Sequence, residues 1–167
     1  MVLIGIDPGL SGAAAIVERT DQADRIVDVI DLPIVGEGAR RRILVPELQR
    51  FIVAAQAEVA FIEDVHAMPR EGVASAFKFG RACGAIEAVI AAVGLPSRLV
   101  QPKAWKKHHG LAGPDKEPSR QLVIARLPQQ TNFFSRKADH GRAESVLIAL
   151  YGLDLLERER GLAKAAA

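Results

Sequence analysis

A chain of 167 residues, 49% of them hydrophobic, has the size of one globular domain and enough apolar material for a proper core. Its single cysteine, Cys83, excludes an internal disulfide and a thiolate zinc cluster, and it fits a reducing, cytoplasmic setting. The net charge of +2 is too small for bulk charge to argue for nucleic acid, so any basic surface must be local, in Arg40 to Arg42, Lys103 to His109 or Arg136 to Arg142.

The opening MVLIGIDPGL has no basic leader, and Asp7 interrupts its short apolar run, so it reads as neither a signal peptide nor a membrane span. Val2 to Ile6 and Gly12 to Val17 are two short apolar runs around an Asp-Pro-Gly turn, the pattern of a β-hairpin. A third strand, Arg25 to Leu32, stops at Pro33 and completes a meander, and Gly36 to Arg42 follows as a polar loop. From Pro46 the apolar residues recur at helical spacing and lead into a strand, Val59 to Glu63. Ala74 to Val93 is a long helix closed by Gly94 and Pro96, and Ser97 to Val100 is the next strand. Two helices, Pro102 to His108 and Glu117 to Leu127, precede a loop and a last helix from Asp139 to Arg158. The order βββαβαβααα predicts an α/β domain over residues 1–158 with a mixed sheet, and a frayed tail over 159–167.

Three acids stand where chemistry is often built. Asp7 ends a buried strand at a glycine-containing turn, and the spacing leaves two readings open: a hairpin closer, or a carboxylate offered at the sheet edge. Glu63 also ends an apolar strand and would meet Asp7 if the two strands are neighbours. Glu144 sits beside Val146, Leu147 and Ile148 on a core-facing helix, where a lone buried acid would be costly without a metal or partner. His140 lies four residues before it on the same helical face, while Asp139 is rotated away and is equally readable as an N-cap. Two strand-end acids, a helix acid and a histidine form a hard donor set suited to Mg2+ or Mn2+. Two such ions about 4 Å apart can activate water against a phosphodiester.

The segments IGIDPGLSGAAAIV, FIEDVHAMPREGVASAFKFGRACGAIEAVIAAVG, LVQPKAWKKHHGL, DKEPSR and KADHGRAESVLIALYG, in this order, resemble the RuvC-type Holliday junction resolvases, particularly their phage-like branch. The resemblance implies an RNase H-like fold, a mixed five-stranded sheet flanked by helices. It further implies a homodimer and metal-dependent cleavage of opposed strands in four-way DNA junctions. On that basis Asp7 and Glu63 match the first two catalytic acids and Glu144 the last. The family's remaining ligand falls three residues before the last acid, which here is Gly141, so His140 is favoured and Asp139 kept as the alternative. Lys103, Lys106, Lys107, Lys116 and Arg120 are expected to contact phosphates, Lys116 also neutralising charge beside the metals. His66 falls in the loop that enters the junction centre in the family, where an imidazole could stack on a base.

Gly80 and Gly84 in the long helix permit close approach, either of a second copy of the chain or of the sheet beneath, and Phe77 and Phe79 fall on different faces. The hairpin and its Asp are also features of actin-like ATPase domains, but those need two lobes and a second phosphate motif, for which this length leaves no room.

Overall fold

Period-two alternation in the first strand decides how the domain is layered. Leu3 is buried in one apolar cluster and Ile4 and Ile6 in another, so successive side chains of one strand feed cores on opposite faces of a sheet. The computed structural model describes residues 1–66, 72–111, 113 and 117–165. Its strands β1 (Val2–Asp7), β2 (Ala13–Arg19) and β3 (Asp24–Asp31) form the expected antiparallel meander. Strands β6 (Val59–Glu63) and β7 (Ser97–Val100) continue the sheet in parallel, in the order β3-β2-β1-β6-β7.

Helices α1 (Val45–Ala55) and α2 (Val73–Ala92) cover one face, burying Leu48, Ile52, Ile86 and Ile90 over Ile4, Ile6, Ala60 and Ile62. The other face carries α3 (Pro102–His108), α4 (Glu117–Arg126) and α5 (His140–Ala165), with Trp105, Val123, Val146, Leu147 and Leu150 over Leu3, Val17 and Phe61. Here α5 presses onto β1 so closely that a Cβ at Gly5 would collide with the Ser145 carbonyl and stand 2.6 Å from the Ala149 nitrogen. Glycine at position 5 is therefore what lets the helix bearing Glu144 lie over the strand bearing Asp7.

Three details depart from the sequence reading. Residues 36–42 are not simply a loop: β4 (Ile34–Val35) pairs with β5 (Arg42–Ile43) in a small antiparallel hairpin. Ile43 supplies the reason, because its burial against the α1 and α2 side outweighs the polar character of the turn. The loop before the last helix contains a 3₁₀ segment, Pro128–Phe134, from which the Gln130 side chain bonds both the N–H and the carbonyl of Ile26 at 2.8 and 2.6 Å. That amide occupies the outer edge of β3 as a further strand would, next to the bulge that leaves Val27 unmatched. Finally, α5 runs on to Ala165 where a frayed tail is expected, pinned by Glu159 to Arg98 at 2.8 Å and by Arg160 to Glu58 at 3.3 Å.

On α2, a Cβ at Gly80 or Gly84 would meet nothing within 4 Å, so neither glycine serves contact with the sheet. Phe77 is 65% exposed on that outward side, while Phe79 lies against Gly9 of the β1–β2 turn. Among the described residues no helix is long and apolar enough to cross a membrane.

Candidate active site

Parity along the strands aims the acids. Asp7 shares its face of β1 with Leu3 and Gly5, and Glu63 shares its face of β6 with Phe61, so both carboxylates emerge on the side covered by α3 and α5. The last matched pair between these parallel strands is Ile6 with Ile62, which leaves Asp7 and Glu63 side by side at the strand ends. Neighbouring strands run about 4.8 Å apart, within reach of one shared cation.

The first turn of α5 closes over them. A Cβ at Gly141 would stand 3.2 Å from Asp7 Oδ2 and 3.2 Å from the Ser11 carbonyl. Glu144, three residues on and thus on the same side of the helix, is 4% exposed, and Asp7 is 8% exposed. From beneath, α2 also feels this charge: the Cys83 thiol is pushed up to about 11 by burial and then by the Glu87 and Asp7 carboxylates.

Helix α3 braces the same acids. The indole Nε1–H of fully buried Trp105 donates to Glu63 Oε1 at 2.9 Å. The Lys106 ammonium lies 3.8 Å from Glu144 Oε1 and 5.1 Å from the Trp105 ring centroid. At its C-terminal end His109 Nε2 bonds the Leu147 carbonyl of α5 at 2.8 Å, which makes Nε2 the protonated nitrogen. Among the described residues Nδ1 of that ring has no partner, and burial lowers the His109 pKa to about 4. His108 is bonded to Asp154 at 2.7 Å, and Arg19 reaches the same carboxylate. Burial alone would push Asp154 up, but these two partners outweigh it and hold it below the usual carboxylate range.

The fates of Asp139 and His140 differ. Asp139 is 1% exposed, and its carboxylate accepts from the backbone N–H and the Nε of Arg136, both at 2.7 Å. Burial opposes ionisation there, yet Arg136 and then Arg142 hold the group ionised below its ordinary value. Both arginines also grip Asp31 at the end of β3, whose pKa falls chiefly through Arg142. The basic stretch 136–142 is thus largely spent on fixing the start of α5 to the sheet. His140 opens the helix half-buried.

Of the residues expected to touch DNA, Lys103 and Lys107 are exposed on α3, and Lys106 is half-buried against the acids. Arg120 points its fork inward, to Glu117 at 2.9 Å and to the Phe134 carbonyl at 2.7 Å. His66 is 79% exposed, with Asp64 3.8 Å away. Lys116 lies outside the described residues.

Carboxylates from two adjacent strand ends and a facing helix offer hard oxygen donors, which suit Mg2+ or Mn2+ and not a soft metal. Among the described residues no three His, Cys, Asp or Glu side chains are yet gathered around one point. One oxygen of Glu63 is turned to Trp105, and one of Glu144 faces Lys106. Sequence reasoning assigned no role to Trp105; its one trace is a lone tryptophan directly before two lysines in a short helix.

The element order, mixed sheet and helical layers define the RNase H-like α/β fold. Among solved structures, Thermus thermophilus RuvC in complex with a Holliday junction substrate is similar at 22% identity and a TM-score of 0.69, covering 95% of this chain and 96% of that one. The fowlpox virus Holliday junction resolvase matches at 12% identity and a TM-score of 0.63, over 93% of this chain and 99% of that one. The yeast mitochondrial Holliday junction resolvase Ydc2 matches at 13% and 0.61, over 99% and 86%. No protein-family profile and no curated protein sequence matches the chain.

Proposed function

We propose that this protein is a divalent-metal-dependent endonuclease that resolves four-way DNA junctions by paired cuts in opposed strands. The observation that carries this reading is the pairing of Asp7 and Glu63 at adjacent parallel strand ends, under a helix that brings the buried Glu144 over them. The similarity to three Holliday junction resolvases over nearly the whole chain supports the same substrate class.

Asp7, Glu63 and Glu144 hold the cations, with His140 completing the set, since the carboxylate of Asp139 is committed to Arg136. When bound, Mg2+, or Mn2+ in its place, supplies Lewis acidity at the scissile phosphate. Lys103 and Lys107 hold flanking phosphates, which positions the duplex without reading its bases, and Lys116 adds charge next to the acids. Lys106 sits between these roles, close enough to Glu144 to balance its charge before a cation arrives. His66, exposed beyond β6, is suited to stacking on an unpaired base at the junction centre.

Two opposed cuts require two sites, and a homodimer through α2 supplies them. The outward face bearing Phe77, Gly80 and Gly84 gives a second copy room for close approach. The test is incubation of the protein with a synthetic mobile four-way junction and Mg2+, with cut sites mapped on every strand. Symmetric paired nicks near the crossover are expected; nicks scattered along duplex arms, or none, would reject the reading.

A further inference from the structure

A buried indole N–H must find an acceptor, because leaving it unpaired forfeits its hydration without replacement. Trp105 is fully buried in the core between α3, β6 and α5, and the acceptor it finds is a carboxylate at the end of β6. The choice of donor matters. An indole can donate one hydrogen bond and accept none, and it carries no charge. It can therefore fix one oxygen of Glu63 without competing for a cation and without neutralising the carboxylate. A carboxylate has about four lone-pair sites, so one donor leaves capacity for other partners.

The helix that carries the indole is anchored to its neighbour. Pro102 starts α3, and His109 ties its far end to the Leu147 carbonyl of α5, three residues past Glu144. Trp105 itself packs in the same apolar cluster as Phe61, which precedes Glu63 on the same face of β6. Movement of the indole would thus disturb α3, α5 and β6 together.

We infer that Trp105 is a positioning residue: its Nε1–H sets the rotamer of Glu63 and so prepares that carboxylate to receive the catalytic cation. The inference rests on the metal-dependent nuclease reading above but adds a residue and a role to it. Outer partners of metal ligands generally matter by 10–100-fold in affinity.

Trp105 is the only tryptophan in the chain, so its indole gives a single, assignable 15N–1H resonance. In the DNA-free full-length protein, Mg2+ is added while this resonance is followed, and Mn2+ binding is counted separately by electron paramagnetic resonance. A saturable shift of the indole signal is expected, absent in Glu63→Gln. Trp105→Phe, which keeps most of the bulk and removes the donor, is expected to weaken Mn2+ binding about tenfold. It should raise the Mg2+ midpoint for junction cutting by a similar factor, with the rate at saturating Mg2+ largely recovered. A merely structural tryptophan would lower thermal stability without moving that midpoint. Normal Mn2+ binding with an unmoved indole resonance would overturn the inference and leave the metal site standing. Loss of Mn2+ binding in the unmodified protein would remove both. If Trp105→Phe does not fold, the indole titration in unmodified protein and Glu63→Gln decides alone.

Discussion

Asp139 and Glu144 lie five residues apart at the start of one helix, both almost fully buried, and their surroundings assign them opposite work. Asp139 is gripped by Arg136 and approached by Arg142, which also reach Asp31, so its charge ties the helix start to the sheet. Glu144 faces the strand-end acids and has a lysine ammonium at 3.8 Å. Buried carboxylates are thus not equivalent evidence of a metal centre. A charge matched by short, convergent donors is structural, and a charge buried beside other acids is a candidate ligand.

That contrast predicts a double dissociation. Glu144→Gln should have the larger effect of the two on function, lowering junction cutting by more than the roughly 100-fold upper range for an outer partner. Its melting temperature should hold or rise, because one charge leaves an acidic cluster. Asp139→Ala should do the reverse, costing about 2 kcal/mol of stability as Arg136 and Arg142 lose a buried acceptor. Cutting by this variant below its melting point should stay within about tenfold of the unmodified rate, a rough bound for a residue outside the ligand set. Exchange of these outcomes in denaturation and cleavage assays would make Asp139 the ligand.

A smaller effect sharpens the account of α3. The His109 pKa is held near 4, below its ordinary 6.5, so the unfolded chain takes up the proton first as pH falls. The neutral ring costs nothing above pH 6.5; stability then declines from there to pH 4, by about 2 kcal/mol once solvent screening is allowed for. His109→Gln, whose amide can still donate to the Leu147 carbonyl, should flatten the melting profile over that window. An unchanged slope would remove His109 as its cause. The smallest effect belongs to Lys103→Ala, which should lower the slope of log affinity for the junction against log salt by about one and spare the cutting rate at saturation.

Much of this was legible in the sequence because it depends on local periodicity. The strand Val59–Glu63 ends on its acid as read, and the parity that points Asp7 and Glu63 the same way follows from their places on β1 and β6. The hairpin at 34–43 was not legible, since its one strong apolar anchor, Ile43, shows its value only once α1 and α2 are assembled over it. The roles of Asp139 and Arg120 were hidden for a related reason. Asp139 depends on arginines that also hold Asp31, more than 100 residues away in sequence, and Arg120 depends on a carbonyl in the 3₁₀ segment. Trp105 is the clearest case. Its acceptor lies 42 residues upstream on another element, and no spacing rule connects them.

Asp7 remains the central residue of the proposed site, because β1, β6 and the first turn of α5 converge there. The most direct measurement compares Asp7→Asn with the unmodified protein on the same four-way junction, scoring binding in Ca2+ and cutting in Mg2+. Unchanged binding with cutting abolished is the predicted result. Cutting retained by Asp7→Asn would contradict the assignment of the site.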